Sequence, residues 1–236
     1  GDLDVYLVQG QRLGSGTPLL PQPAGPPGDR LYRNDLEVRA DGSRTLRFTD
    51  VTAASGIRPR GYGMGVAAGD IDNDGFVDLY LTGFGRNQLF RNNGNSTFAD
   101  VSKASGTDDP VNWGVSATFV DYDRDGWLDL FVGNYLNYTL KTHTPCFGPS
   151  GAPDYCRPEV YGAQPNRLYH NEGGGRFADV TIRSGVAAAF GPALGVIAAD
   201  LDGDGWQDLF VTNDEQENEL WMNRRDGTFI NTALLA

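Results

Sequence analysis

The chain has little of what membrane proteins and most enzymes are built from. No apolar run approaches the ~20 residues that a membrane-spanning helix needs, so no transmembrane segment is expected. There are two histidines, His143 and His170, and they fall in unrelated contexts. No Gly-x-Ser-x-Gly elbow and no phosphate-binding glycine loop occurs. These absences point away from an enzyme. Basic residues are also scarce, 19 Lys and Arg against 31 Asp and Glu, and the net charge is −12. A nucleic-acid partner wants a basic face and is excluded on that ground. Cysteine is limited to Cys146 and Cys156, which sit in a loop-like stretch. A disulfide between them is favoured, with two free thiols and, more distantly, a zinc site as alternatives. One nearby histidine, His143, does not complete a zinc-finger spacing.

Aspartate and glycine are abundant, and they are patterned. Asp70-Ile71-Asp72-Asn73-Asp74-Gly75-Phe76-Val77-Asp78 recurs as Asp121-Tyr122-Asp123-Arg124-Asp125-Gly126-Trp127-Leu128-Asp129. It recurs again as Asp200-Leu201-Asp202-Gly203-Asp204-Gly205-Trp206-Gln207-Asp208. Each copy has aspartate at positions 1, 3, 5 and 9 and glycine at position 6. Ca²⁺ is a hard ion that takes about 6–8 oxygens. Carboxylates at positions 1, 3 and 5 can point inward from one curled loop, and glycine permits the turn. The carbonyl of position 7 (Phe76, Trp127 or Trp206) can face the ion, and the last aspartate closes the cage. The competing reading is an Asp/Gly-rich turn held by side-chain-to-backbone hydrogen bonds with no metal. Carboxylates this dense repel one another unless a cation sits among them, which favours three calcium sites. The loops hold 12 of the 31 acidic residues, so three Ca²⁺ would bring the net charge to about −6. An EF-hand is excluded, because position 12 is Leu81, Val132 or Val211 instead of glutamate. Apolar stretches of strand character enter and leave each loop.

Two further elements follow each cage. The first is Leu31-Tyr32-Arg33-Asn34, Leu89-Phe90-Arg91-Asn92, Leu168-Tyr169-His170-Asn171 and Leu220-Trp221-Met222-Asn223. The second is Phe48-Thr49-Asp50-Val51, Phe98-Ala99-Asp100-Val101, Phe177-Ala178-Asp179-Val180 and Phe229-Ile230-Asn231-Thr232. The spacing from Phe48 to Phe98 is 50 residues, from Phe98 to Phe177 is 79, and from Phe177 to Phe229 is 52. The base period is therefore near 50, with one insertion over roughly 134–166 that carries both cysteines. Residues 9–30 form a second Gly/Pro-rich loop at the same inter-strand position. Gly1-Asp2-Leu3-Asp4 aligns with Gly75-Phe76-Val77-Asp78, so the sequence starts inside a fourth, truncated calcium loop whose closing ligand is Asp4. On this reading the chain is a fragment of a longer one. His170 shares its slot with Arg33 and Arg91 and reads as structural, and the recurring Asn34, Asn92, Asn171 and Asn223 read as turn chemistry.

Four short strands per repeat fit a propeller blade. The expected fold is all-β: a β-propeller fragment of about four four-stranded blades with calcium-binding Asp-rich loops. The expected units are a partial blade 1–56, blades 57–106 and 107–185, the latter with the insertion, and a blade 186–236. The Asp-x-Asp-x-Asp-Gly-x-x-Asp loops and the Leu-Tyr-Arg-Asn…Phe-x-Asp-Val runs resemble the FG-GAP/VCBS repeats of integrin-α-like β-propellers. Within those they look like the bacterial cartilage-acidic-protein-like group. The resemblance implies Ca²⁺ in each cage-bearing blade, a secreted or surface role in adhesion or binding, and no catalytic residues.

The leading functional expectation is a calcium-stabilised extracellular binding or adhesion module with structural ions. Its partner, a protein or carbohydrate ligand, would sit on the long-loop face, since loops on one side of a rigid scaffold are where binding usually lives. The alternatives are a structural subunit of a fibre or surface layer, self-assembling through open blade edges, and a propeller enzyme such as a polysaccharide lyase. A loop disulfide favours an extracellular, cell-surface or periplasmic setting. Asn95-Ser96-Thr97 and Asn137-Tyr138-Thr139 match the glycosylation sequon.

Overall fold

In a computed structural model the described residues are 3–10, 28–108 and 113–233. Most of the 9–30 loop lies outside them. The described residues form four successive antiparallel sheets, and the all-β propeller reading holds. The first sheet has three strands, Val5–Leu7, Arg30–Asn34 and Phe48–Asp50. The second is Tyr62–Gly69, Asp78–Phe84, Gln88–Asn92 and Phe98–Asp100. The third is Gly114–Val120, Asp129–Asn134, Arg167–Asn171 and Phe177–Asp179. The fourth is Ala193–Ala199, Asp208–Asn213, Glu219–Asn223 and Phe229–Asn231. In each sheet every strand pairs with the next in sequence, an up-and-down meander.

The registers repeat. Leu79 faces Phe90, Leu130 faces Tyr169 and Leu209 faces Trp221 across the second and third strands. The first strand of each four-stranded sheet carries a register shift at the same place, between Gly63 and Gly65, Gly114 and Ser116, and Ala193 and Gly195.

The core lies between sheets. Side chains alternate across a strand with period two, and here the two faces go to different neighbours. Leu79 and Leu81 join Leu31, Ile57 and Phe90 on the side of the first sheet. Tyr80, between them in sequence, joins Leu89, Leu130, Val132 and Tyr169 on the side of the third. Phe131, between Leu130 and Val132, packs with Leu168, Leu209, Val211 and Trp221 of the third and fourth sheets. This double burial explains why the second strand of each blade is a nearly continuous apolar run. The first strands of neighbouring sheets also pack on one another. A Cβ on Gly65 would meet the Val115 carbonyl at 2.5 Å, so glycine permits that approach.

Short helices and two-stranded ribbons, one of them Glu37–Val38 with Arg44–Thr45, escape the four-strand pattern. Short helices Thr52–Ser55 and Ser102–Ser105 follow the last strand of the first two sheets, each closed by a glycine in the left-handed region. The insertion also contains a two-stranded ribbon, Cys146–Phe147 with Pro153–Asp154. The disulfide Cys146–Cys156 spans that ribbon, so the free-thiol and zinc alternatives fall.

The recurrent asparagines do more than close turns. Asn92, Asn171 and Asn223 accept backbone N–H bonds from Gly94, Gly173 and Arg225. Asn171 Nδ2 also donates to the Ile71 carbonyl of the preceding blade at 2.8 Å, and Asn223 Nδ2 donates to the Tyr122 carbonyl at 2.8 Å. Asn92 Nδ2 reaches the Val77 carbonyl of its own blade. Asn171→Ala is expected to lower unfolding free energy by about 1–3 kcal/mol, because it strands a buried carbonyl. Asn92→Ala, without a stitch between blades, should cost less. Urea unfolding of both variants checks this, and equal losses would contradict it.

Candidate metal centres

Each Asp-rich loop joins the first strand of its blade to the second, so all three lie at one end of the sheets. The chain reverses there through glycine. Gly75, Gly126 and Gly205 have φ near +87°, +90° and +90°, a region that costs residues with a Cβ. Position 1 ties the loop down: Asp70 accepts from the Asp74 and Gly75 amides, and Asp200 accepts from those of Gly203, Asp204 and Gly205. Position 5 accepts from the amide of position 7, as in Asp74 with Phe76, Asp125 with Trp127 and Asp204 with Trp206. The ring of position 7 turns outward: Phe76 lies against Gly94, and Trp127 lies against Gly173.

Position 9 is the anchor. Asp78, Asp129 and Asp208 are buried. One oxygen of each accepts from the amide of position 2, Ile71, Tyr122 or Leu201. The other accepts from the amide of the third-strand asparagine, Asn92, Asn171 or Asn223, at 2.7–2.8 Å. Asp4 accepts from Asn34 in the same way, so the first sheet keeps this part of the pattern.

The structure brings most of the sequence-predicted ligands together. Asp70, Asp72 and Asp78 present carboxylate oxygens within 4.8 Å of one another, as do Asp200, Asp202 and Asp208. In the second loop the sets are Asp121, Asp123 and Asp125, and Asp123, Asp129 and His170. Asp74 and Asp204 stand outside these groups, and Asp204 is held by Arg225 at 2.6 Å. Buried carboxylate oxygens of Asp72, Asp121 and Asp123 have no hydrogen-bond partner in the protein. An anionic oxygen left so is costly unless a cation takes it. The donor set is therefore suited to a hard divalent ion.

His170 was legible only as a substitute for arginine. Its Nδ1 lies 3.1 Å from Asp129 Oδ1 and 3.4 Å from Asp123 Oδ2, at the cage itself. The Tyr122 ring meets its ring edge-on at 6.1 Å. The signal available was its place one residue before the recurrent asparagine.

The opposite end carries the connections between second and third strands, including the insertion. Phe84, Trp113, Tyr135, Tyr138 and Tyr161 form a chain of ring contacts there, with centroids 5.0–5.7 Å apart. Tyr135 Oη donates to Asp214 of the fourth sheet at 2.6 Å. A cleft of about 900 Å³ beside it is lined by Phe190, Asn213 and Glu215–Asn218. The sequence reading placed long loops on one face but did not find this aromatic cluster, because its members are far apart in the chain.

Comparison with known proteins identifies the repeats. A family described as FG-GAP-like repeat matches residues 70–132, 151–211 and 200–235. The chain belongs to the FG-GAP-like repeat family. Cartilage acidic protein 1 of Mus musculus is 30% identical over 189 residues, covering 78% of this chain and 25% of that protein. The Homo sapiens protein of the same name is 26% identical over 221 residues, covering 79% and 33%. The chain thus spans a third or less of the length of these relatives. A solved Agrocybe aegerita lectin, described as recognising non-reducing terminal N-acetylglucosamine, aligns over 86% of this chain and 45% of its own. Its identity is 22% and its TM-score 0.36, too loose an overlap to bear on fold or ligand. No helix among the described residues is long and apolar enough to cross a membrane.

Burial raises four of the cage carboxyls, more than their neighbours' charges do. Asp78 is pushed up to about 6 and Asp129 to about 7, in both cases first by burial. Asp72 and Asp123 are also raised, by burial and then by Asp74 and Asp125. Unfolded aspartate titrates near pH ~3.9, so the ion-free folded state holds extra protons above that pH. Its stability is expected to fall as pH rises from about 5 to 7.5. Urea unfolding in chelator at both pH values tests this, and Asp129→Asn should flatten the slope. Stability that rises with pH in that window would contradict it.

Proposed function

We propose that this chain is a calcium-stabilised, non-catalytic binding module of an extracellular FG-GAP propeller, and that its ions are structural. The observation that carries the reading is the convergence of three or more acidic side chains in each loop, with buried, unpartnered oxygens on Asp72, Asp121 and Asp123. In this reading the ligands are Asp70, Asp72, Asp74 and Asp78, Asp121, Asp123, Asp125 and Asp129, and Asp200, Asp202, Asp204 and Asp208. The carbonyls of Phe76, Trp127 and Trp206 complete them. Ca²⁺ supplies charge neutralisation, which relieves the crowding of carboxylates at each loop. The four sheets are one contiguous segment of a propeller, with units 1–56, 57–106, 107–185 and 186–236.

The disulfide and the relatives named for cartilage support an extracellular setting. The long-loop face, with its aromatic cluster and cleft, is the proposed ligand face for a protein or carbohydrate. A structural-subunit reading is favoured by one further observation. Ile197 and Ile230, on the far side of the fourth sheet, are 54% and 49% exposed, whereas Leu209 and Trp221 on its near side are buried. That face suits another blade, in this protein or in a neighbour.

Equilibrium dialysis against calcium, with elemental analysis, tests the proposal. The expected count is about three ions per chain. Asp72→Ala, Asp123→Ala and Asp202→Ala should each lower it by about one. A count near zero would overturn the calcium reading. Polysaccharide cleavage abolished by one loop-aspartate substitution would overturn the non-catalytic one.

A further inference from the structure

The three cages differ in the residue that precedes the third-strand asparagine: Arg91, His170 or Met222. At the first cage, in the second blade, this slot places a cation near Asp72. At the second cage, in the third blade, it places an imidazole nitrogen among carboxylates. Asp129 does not need that imidazole to satisfy its hydrogen bonds. It already accepts from the Tyr122 and Asn171 amides, as Asp78 and Asp208 accept from their equivalents in blades without a histidine. Nor does the imidazole satisfy the loop, because Asp123 Oδ1 stays buried and without a partner beside it.

The grouping of donors differs too. Positions 1, 3 and 9 converge in the first and third loops, whereas in the second Asp129 groups with Asp123 and His170. Two donors each about 2.1 Å from one ion, at about 95–110° to one another, lie about 3.1–3.4 Å apart. The Nδ1 distances to Asp129 and Asp123 are 3.1 and 3.4 Å. Ca²⁺ selects oxygen ligands, while imidazole nitrogen favours zinc and its d-block neighbours.

We infer that the second loop is a mixed nitrogen–oxygen site, in which His170 Nδ1, Asp123 and Asp129 bind a divalent d-block ion of the zinc class. The first and third loops remain oxygen-only calcium sites. The inference rests on the reading of the loops as metal sites, and it adds the ion class of one of them. For Nδ1 to ligate, its lone pair faces the ion and the ring proton sits on Nε2. Asp121 and Asp125 complete the oxygen side, and Arg124 leans out of the loop over Trp206, 5.0 Å from its ring centre.

The test titrates the ion-free full chain with Co²⁺, whose visible bands report nitrogen ligation, and then with Zn²⁺. Wild type is compared with His170→Arg, which copies the second blade, and with His170→Gln, which is neutral. Wild type should bind one Co²⁺ roughly tenfold or more tighter than either variant, and Zn²⁺ should displace it. Zn²⁺ should also remove one calcium from the dialysis count of wild type and none from the variants. A smaller Co²⁺ ratio, or an unchanged calcium count with Zn²⁺ bound, would overturn the inference. Calcium counts at the other two loops, taken on the same samples, separate the two readings. Calcium retained there with no Co²⁺ preference overturns this inference alone. Co²⁺ preference without calcium binding overturns the calcium reading alone.

Discussion

The carboxylate at the end of the second and third loops joins three parts of the molecule. Asp129 is closed to solvent, accepts from the Tyr122 amide inside the loop, and accepts from the Asn171 amide on the third strand. Asn171 in turn donates to the Ile71 carbonyl in the preceding blade's loop. Asp208 and Asn223 repeat the relay toward Tyr122. Loop, blade and neighbouring blade are thus tied through one buried anionic group. Burying a carboxylate costs several kcal/mol unless it is neutralised or well hydrogen-bonded. In the ion-free chain burial pushes the Asp78 carboxyl up to about 6 and the Asp129 carboxyl up to about 7. A bound cation would let them ionise in place.

This arrangement also divides the molecule by task. The Asp-rich loops occupy the end where first strands turn into second strands, and the variable connections occupy the other end. Between them the strands bury both faces, sending Tyr80 to one neighbour and Leu79 and Leu81 to the other. A scaffold clamped at one end leaves the other free to carry an insertion of about thirty residues without disturbing the core, since long surface loops are tolerated cheaply.

Much of this was legible in the sequence because the signals repeat. The short apolar run Leu79-Tyr80-Leu81 and its copies read as strand, and glycine at position 6 read as a turn, where Gly75, Gly126 and Gly205 stand at positive φ. The Asn slot was visible as a repeat, but its reach of 100 residues to Ile71 was not, because only the stacking of blades creates that contact. His170 was misleading for a related reason. Its slot is occupied by Arg33, Arg91 and Met222 in the other blades, and nothing in the local sequence says that the slot opens on the cage. The aromatic cluster joins residues from Phe84 to Tyr161, so no short window could display it. The ribbon under the disulfide is two residues per strand, too short for any periodic signal.

Thermal unfolding of the full chain with excess calcium and then with chelator tests most directly whether cations hold these blades together. Ligand that binds only the folded state raises the midpoint as its free concentration rises. A midpoint that climbs with calcium and drops sharply in chelator is the expected result. The same midpoint in both would mean that the buried carboxylates are settled by hydrogen bonds and protons alone, and would contradict the central role given to the metal loops.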